Sequence, residues 1–322
     1  MRTSVALCTC NGGKYIARQL QSIAEGTVLP DEIVVCDDRS TDDTLTQIER
    51  FAAATPAISV RVFVNETRLG STHNFEKAIG LCQYDIVFLC DQDDVWHANR
   101  VERSLAEFTD PEVGGVFADA DLVDDDLKPL GKRMFEYLGI RHFIERNHAD
   151  LFGRLLFKPF VTGATMAFRR DLVKKVHPYP SSRFFIHDGW LALTIAGMAK
   201  LRVLDTPLIS YRQHTGQQVG TMLSGIQQSA NAKPAIRYPL TRREFAEFYD
   251  ELSGLFAGLP LRREASTTFA NAVAHNDRRL AMVRHSIATR SIKVVRELAT
   301  GRYHLFSTGM QSAAKDILKP VA

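Results

Sequence analysis

The sequence predicts an α/β fold with a mostly parallel central sheet flanked by helices, followed by a C-terminal helical extension. Three observations predict it. Residues 4–8, 32–36 and 85–90 are short runs with apolar residues on both faces, as strands buried between two helical layers must have. Helix-like segments separate these runs, which implies crossover connections between parallel strands. Beyond residue 240, apolar residues recur every three or four positions to the end of the chain, a helical period.

The first strand, Ser4-Val5-Ala6-Leu7-Cys8, is followed by the turn Asn11-Gly12-Gly13 and a helix with Ile16, Leu20 and Ile23 on one face. The second strand, Glu32-Ile33-Val34-Val35-Cys36, stops at Asp37-Asp38. Ser40-Thr41-Asp42-Asp43 supplies capping side chains for a helix through Leu45, Ile48 and Phe51. Residues 59–64 alternate as a third, more exposed strand, and a short helix surrounds Asn74 to Ala78. The run Asp85-Ile86-Val87-Phe88-Leu89-Cys90 then ends in Asp91-Gln92-Asp93-Asp94-Val95-Trp96. Further on, the pattern predicts a helix over 100–108 and strands over 113–119 and 160–168, the last with Gly163 inside it. Residues 201–204 and 207–211 read as edge strands. The domain division expected is 1–220 for the α/β unit, 221–240 for a linker or mobile loop, and 241–322 for the helical region.

Bulk properties narrow the function. The chain has 322 residues, 45% hydrophobic and 24% charged, with a formal net charge of +3. That charge is too mild to indicate a nucleic-acid partner. Met1-Arg2-Thr3 leads straight into a strand-like run, which predicts no signal peptide, and no run is long enough for a transmembrane helix. Cys8, Cys10, Cys36, Cys82 and Cys90 are odd in number and lack a CxxC spacing. They predict buried free thiols and a cytoplasmic location.

The chemistry centres on acids at strand ends. In open α/β sheets, ligands bind beyond the carboxyl ends of the strands, where Asp37-Asp38 and Asp91, Asp93 and Asp94 emerge. Crowded carboxylates repel one another unless a cation neutralises them, and hard divalent ions prefer oxygen. One reading is a Mg²⁺ or Mn²⁺ site for a phosphate-bearing substrate; the other is a solvated acidic turn capping the next helix. Asp38 reads either as a nucleoside contact or as a turn residue bonded to nearby backbone. Gly163 marks either a close ligand approach or a bulge. Asp188, in His187-Asp188-Gly189-Trp190, either caps an apolar helix or serves as a general base beside an apolar pocket. The first turn lacks both G-x-G-x-x-G and G-x-x-x-x-G-K-[ST], so dinucleotide and P-loop readings fail. Basic residues such as Arg278, Arg284, Lys293 and Arg296 make the last segment either a solvated helical face or a contact for an anionic membrane.

Taken together, Leu7-Cys8-Thr9-Cys10-Asn11-Gly12-Gly13, Val35-Cys36-Asp37-Asp38-Arg39-Ser40, Asp91-Gln92-Asp93-Asp94, Val161-Thr162-Gly163, His187-Asp188-Gly189-Trp190 and Tyr211-Arg212-Gln213-His214 resemble the family 2 inverting glycosyltransferases. These have the nucleotide-diphospho-sugar transferase (GT-A) fold, and the resemblance is strongest to bacterial rhamnosyltransferase-type members. It runs from about Thr3 to Gly220; the C-terminal helices match only loosely. The resemblance implies nucleotide binding by Thr9, Cys10, Asn11, Asp38 and Asp91. It implies a divalent cation, Mg or Mn, at Asp93 and His214, and Asp188 as catalytic base. It places Asn74, Asp94, Trp96, Gly163, His187, Trp190 and Arg212 about the donor or acceptor pocket. The implied partners are a nucleotide-diphosphate sugar, dTDP or UDP, and a saccharide or lipid-linked acceptor. Two departures stand out: Cys10 replaces an aromatic residue common in the family, and His187 precedes the presumed base where many relatives carry Glu. Two rivals remain at this point, a sugar-1-phosphate nucleotidyltransferase and a non-catalytic nucleotide-sugar-binding protein.

Overall fold

β1 (Thr3–Thr9), β2 (Glu32–Asp37), β3 (Ser59–Val64) and β4 (Ile86–Cys90) form the parallel half of the sheet, in the order β3-β2-β1-β4. The computed structural model describes residues 1–141, 151–214 and 240–318. β1 and β4 divide their side chains between two cores: Ala6, Cys8, Val87 and Leu89 face one, and Val5, Leu7, Ile86, Phe88 and Cys90 face the other. Burial on both faces is what their unbroken apolar runs predict. β3 lies at the edge, and its alternating sequence is accordingly half exposed.

The crossover helices are α1 (Ile16–Ala24), α2 (Thr44–Ala54) and α3 (Gly70–Leu81). α1 buries Ile16, Leu20 and Ile23, the stripe read from the sequence. α4 (Arg100–Glu107) follows the acidic turn and the two-residue strand β5 (Val95–Trp96).

Beyond β4 the sheet is mixed. The remaining strands are β6 (Val113–Val123), β7 (Pro129–Arg133), β8 (Met166–Arg169) and β9 (Lys200–Arg212). β8 is antiparallel to both β4 and β6, while β6 and β9 are parallel. Two expectations are corrected here. Residues 160–168 are not one strand: Gly163–Thr165 is a 3₁₀ turn and only Met166–Arg169 pairs. The two edge strands expected at 201–204 and 207–211 are one thirteen-residue strand, paired to β6 on one side and β5 on the other. Register shifts around Asp119 absorb Asp205-Thr206 as a bulge, which the sequence shows only as a polar interruption.

The remaining helices are α5 (Met134–Tyr137), α6 (Leu151–Phe157), α7 (Arg170–Val173), α8 (His187–Met198), α9 (Arg242–Phe256), α10 (Arg263–Ala281), α11 (Ile287–Ala299), α12 (Arg302–Phe306) and α13 (Met310–Leu318). α8 is apolar all round because it is buried all round, beneath the sheet and against the C-terminal helices. α9 starts with a capping box between Thr241 and Glu244. Its aromatic stripe continues the main core: Phe245 stacks on Phe157, Phe256 stacks on Trp190, and Phe248 packs at a tilt against Phe184. The linker expected at 221–240 lies outside the described residues except for Leu240, which is buried.

Candidate active site

Strand direction decides which loops meet. β1, β2 and β4 are parallel, so their carboxyl ends share one edge, where Thr9 pairs with Asp37 and Leu7 with Cys90. β8 runs the other way, so the Gly163–Thr165 turn preceding it arrives at that same edge. β9 is parallel to β6, and β6 is antiparallel to β8, so Arg212 and the His214 that follows also end there. Asp38, Asp91, Asp93, Asp188 and His214 thus gather at one edge from segments distant in sequence.

Asp37 is fully buried and held by its own chain: Thr9 Oγ1 donates to it at 2.7 Å, and Ser40 donates through both N and Oγ at 2.8 and 2.5 Å. Asp38 accepts from Asn65 Nδ2 at 2.9 Å, Leu69 N at 2.7 Å and Gly70 N at 3.0 Å. An ionised carboxylate offers about four acceptor positions, so Asp38 retains capacity for a further donor. Asn74 lies beneath this group, donating to the Cys36 carbonyl at 2.8 Å and accepting from Asn65. Its amide is spent on positioning, and it is buried, so the side chain presents no surface to a donor or acceptor.

The first loop is clamped to the acidic turn by Gln92. The Cys10 N–H donates to Gln92 Oε1 at 2.8 Å, and Gln92 Nε2 donates back to the Cys10 carbonyl at 3.2 Å. Gly12 makes this possible, because a Cβ there would lie 2.3 Å from Gln92 Oε1. Asn11 takes a positive φ of 51° and accepts from Thr41 N at 2.8 Å. Cys10 is half-buried and Thr9 fully buried, its hydroxyl already bonded to Asp37.

Asp188 opens α8. The helix N-cap residue is Ile186, so Asp188 is not a side-chain cap. Its Oδ1 accepts from Gly189 N at 2.7 Å and its Oδ2 from Gly163 N at 3.2 Å. A Cβ on Gly163 would lie 3.1 Å from Asp188 Cβ and 3.4 Å from Leu89 Cδ1. Glycine is needed there for a close approach within the chain, bringing α8 against the end of β4. His187 is buried and stacked on Phe75 at 4.3 Å, with Nδ1 lacking a partner; burial lowers its pKa despite the Asp188 charge.

Electrostatics mark this edge as a concentration of negative charge. Burial, then Asp93 and Asp188, push the Asp91 carboxyl up to about 7. Asp94 is pushed well above the carboxylate range by burial, then by Asp93 and Asp91. It accepts from Arg212 N at 3.0 Å through Oδ1, while its buried Oδ2 has no partner. The Arg212 guanidinium donates to the Asp93 carbonyl at 2.7 Å and to the Asp125 carbonyl. Asp125 also binds Lys14 and the Tyr15 hydroxyl, at 2.5 and 2.7 Å. Beneath the turn lies Arg100, fully buried, donating to the Leu89 carbonyl at 3.1 Å and stacked over Trp96. Its charge opposes the rise at both Asp91 and Asp94.

A divalent cation fits this donor set in a limited way. His214 Nε2 and Asp93 Oδ2 lie 2.8 Å apart, an imidazole and a carboxylate bonded to each other and so close enough to share an ion. Among the described residues, no group of three or more His, Cys, Asp or Glu side chains is set to enclose a metal ion. The fit is therefore to an ion that takes one or two protein ligands and fills its shell with phosphate oxygens and water, as Mg²⁺ commonly does.

Not every expected residue is accessible at this edge. Trp96 is a core residue beneath the sheet, 5% exposed and packed on Phe88. Trp190, 3% exposed, stacks between Phe185 and Phe256 and donates to the Val176 carbonyl. Both follow a charged turn in sequence, but each falls on the inward face of its element. The sequence pattern gives no role to Asn65, Arg100 or the Tyr15–Asp125 pair. Asp37 and Gln92 do carry a signal, since each lies within an acidic strand end, but the sequence does not show that they hold the loops in place.

Known proteins resemble this chain. Residues 4–177 match the family described as Glycosyl transferase family 2. An uncharacterized glycosyltransferase of Nostoc sp. is 27% identical over 66% of this chain and 65% of its own length. The dTDP-rhamnosyl transferase RfbG of Shigella flexneri is 22% identical over 68% of this chain and 75% of its own. Among solved structures, S. aureus TarS 1-349 in complex with UDP-GlcNAc superposes with a TM-score of 0.57 at 18% identity, covering 86% of this chain and 72% of that one. With more than half its length matched and its strand ends arranged as described, this chain belongs to glycosyl transferase family 2 and has the GT-A fold.

Proposed function

We propose that the protein transfers a sugar, rhamnose or a related hexose, from a dTDP or UDP donor to a hydroxyl of a saccharide or lipid-linked acceptor. The transfer inverts the anomeric carbon and serves bacterial surface polysaccharide synthesis, in the reducing cytoplasm where the five thiols stay free. The observation that carries this reading is Asp188, a carboxylate held by the amides of Gly163 and Gly189 at the edge of the Asp91–Asp94 turn. The names of the relatives support it: RfbG is a dTDP-rhamnosyl transferase, and TarS was solved with UDP-GlcNAc.

The step is a single displacement. The acceptor oxygen forms its bond to the anomeric carbon as the bond from that carbon to the diphosphate oxygen breaks. The acceptor proton goes to Asp188, and the bonding pair leaves with the diphosphate. Fixed by two backbone donors, Asp188 is pre-aimed and needs no reorganisation to take that proton. Asp38, with acceptor capacity left over, receives an N–H of the base, and the Gln92 clamp holds the Cys10–Asn11 loop beside it. Asp93 and His214 would hold a Mg²⁺ or Mn²⁺ ion, which when bound supplies positive charge for the departing diphosphate. Arg212 braces Asp93 and Asp94 from behind.

The test is a thermal-shift screen of dTDP-rhamnose, UDP-sugars and GDP-sugars with and without Mn²⁺, followed by NMR of the product's anomeric configuration. A donor at about 100 times its Kd adds roughly 2.7 kcal/mol of stability, enough for a clear shift. No shift with any nucleotide sugar, or diphosphate release from a nucleoside triphosphate plus sugar phosphate, overturns the reading. The second outcome would make the protein a nucleotidyltransferase.

A further inference from the structure

Eleven large apolar side chains are exposed among the described residues, and five of them lie within residues 287–318: Ile287, Ile292, Val295, Met310 and Leu318. On α11, Arg290, Val294 and Glu297 turn inward, and Val294 joins the small core of Met282, Tyr303 and Ala313. On the opposite face Ala288, Ile292, Val295 and Ala299 are all exposed. Their spacing of four, three and four residues keeps them within ~60° of one another at about 100° per residue. α13 repeats the arrangement: Ser312, Ala313 and Asp316 are buried, while Met310, Ala314 and Leu318 are exposed at four-residue spacing.

Charge says what covers these faces. Between Met282 and Leu318 the only acids are Glu297 and Asp316, and both are buried in ion pairs. Glu297 meets His275, Arg278 and Arg302; Asp316 meets Arg242 and Arg279. The exposed charges on the two helices are therefore cations alone: Lys293, Arg296 and Lys315. An ordinary solvated face mixes both signs and few large apolar groups. A two-fold contact between copies would set these cations near their own counterparts, which disfavours self-association. Apolar residues bracketed by lysine and arginine suit the boundary between headgroups and acyl chains in a negatively charged bilayer.

We propose that the outer faces of α11 and α13 rest on an anionic lipid surface, with Ile292, Val295, Met310 and Leu318 entering the interface and Lys293, Arg296 and Lys315 meeting lipid phosphates. The attachment goes beyond the transfer reaction and can fail without touching that reading, because its test measures no sugar transfer. The full chain is sedimented with vesicles of phosphatidylcholine alone or mixed with phosphatidylglycerol. Binding is expected only to the mixed vesicles, weakening as salt rises. Ile292→Glu with Val295→Glu is expected to lower it about tenfold or more. Lys293→Glu with Arg296→Glu should abolish the preference for phosphatidylglycerol while the circular-dichroism melt stays unchanged. Equal binding to both vesicle types, or none by the parent chain, overturns the proposal. A dimer in light scattering that the Ile292→Glu and Val295→Glu pair dissociates, without vesicle binding, also overturns it and assigns the face to a second copy.

Discussion

At the carboxyl edge of the sheet, Asp91, Asp93, Asp94 and Asp188 gather with Arg100 buried beneath them and the Arg212 guanidinium spent on backbone carbonyls. In the C-terminal bundle, Asp316 meets Arg242, Arg279 and the Tyr303 hydroxyl, and Glu297 meets Arg278, Arg302 and His275. Both regions bury acids, but among the described residues only the bundle pairs each acid side chain with arginines. Burial alone would raise Glu297, yet hydrogen bonds from His275 and Arg278 bring it below the ordinary range. At the sheet edge nothing comparable opposes burial, and Asp91 rises to about 7. Matched charge fixes one packing of helices, whereas unmatched charge is a standing cost that the proposed cation would relieve.

Substitutions should separate the two regions. The largest effect expected is on turnover: Asp188→Asn should lose about 10²–10⁴-fold in rate and leave the melting temperature nearly unchanged. Near-normal turnover by that variant would remove Asp188 from the role of base. Asp316→Ala should do the reverse. Leaving Arg279 buried without its partner costs about 3–5 kcal/mol, read in denaturant melts, while turnover per folded molecule holds. A variant that lost both would break the contrast.

The pH dependence of stability should carry opposite signs. Asp91 titrates higher in the folded chain than unfolded, so its contribution is complete below the ordinary carboxylate value of ~3.9. That contribution is lost as pH rises through about 7. Burial pushes His275 down to about 4, so its contribution is complete above ~6.5 and is lost as pH falls through about 4. Without divalent ions, Asp91→Asn should therefore gain stability over the parent on going from pH 4 to 8, and His275→Gln should gain on going from 7 to 4. Chemical melts at four pH values suffice, and matching slopes for the two variants would refute the assignment. Mn²⁺ should restore more stability at pH 8 than at pH 5. The smallest effect expected is for Gly163→Ala. A methyl 3.1 Å from Asp188 Cβ shifts the base by a few tenths of an ångström, costing about tenfold in turnover against the 10² of a full ångström.

Much of this was legible in the sequence because strands buried on both faces must be apolar throughout, and the acids had to sit where those runs stopped. The 85–90 run and Asp91 to Asp94 show this directly. The same reasoning went astray at 160–168, where apolar residues continue through a 3₁₀ turn that pairs with nothing. It also split β9, whose bulge at Asp205-Thr206 reads locally as a strand end. Trp96 and Trp190 drew attention as aromatics beside acidic turns, but which face an aromatic takes depends on the neighbouring element. Arg100 carried no signal, since an arginine opening a helix is ordinarily solvated.

By itself the sequence determined the order of strands and crossover helices, the ends at which carboxylates emerge, and the family motifs, because apolar period and turn chemistry act between near neighbours. Only the tertiary structure decided that β8 runs antiparallel, so that Gly163 reaches Asp188, and that β9 carries His214 to Asp93. It also decided that Asp38 spends three acceptor positions on its own chain. These are contacts between residues tens to more than a hundred positions apart, and their partners follow from strand direction and register, which no local pattern encodes.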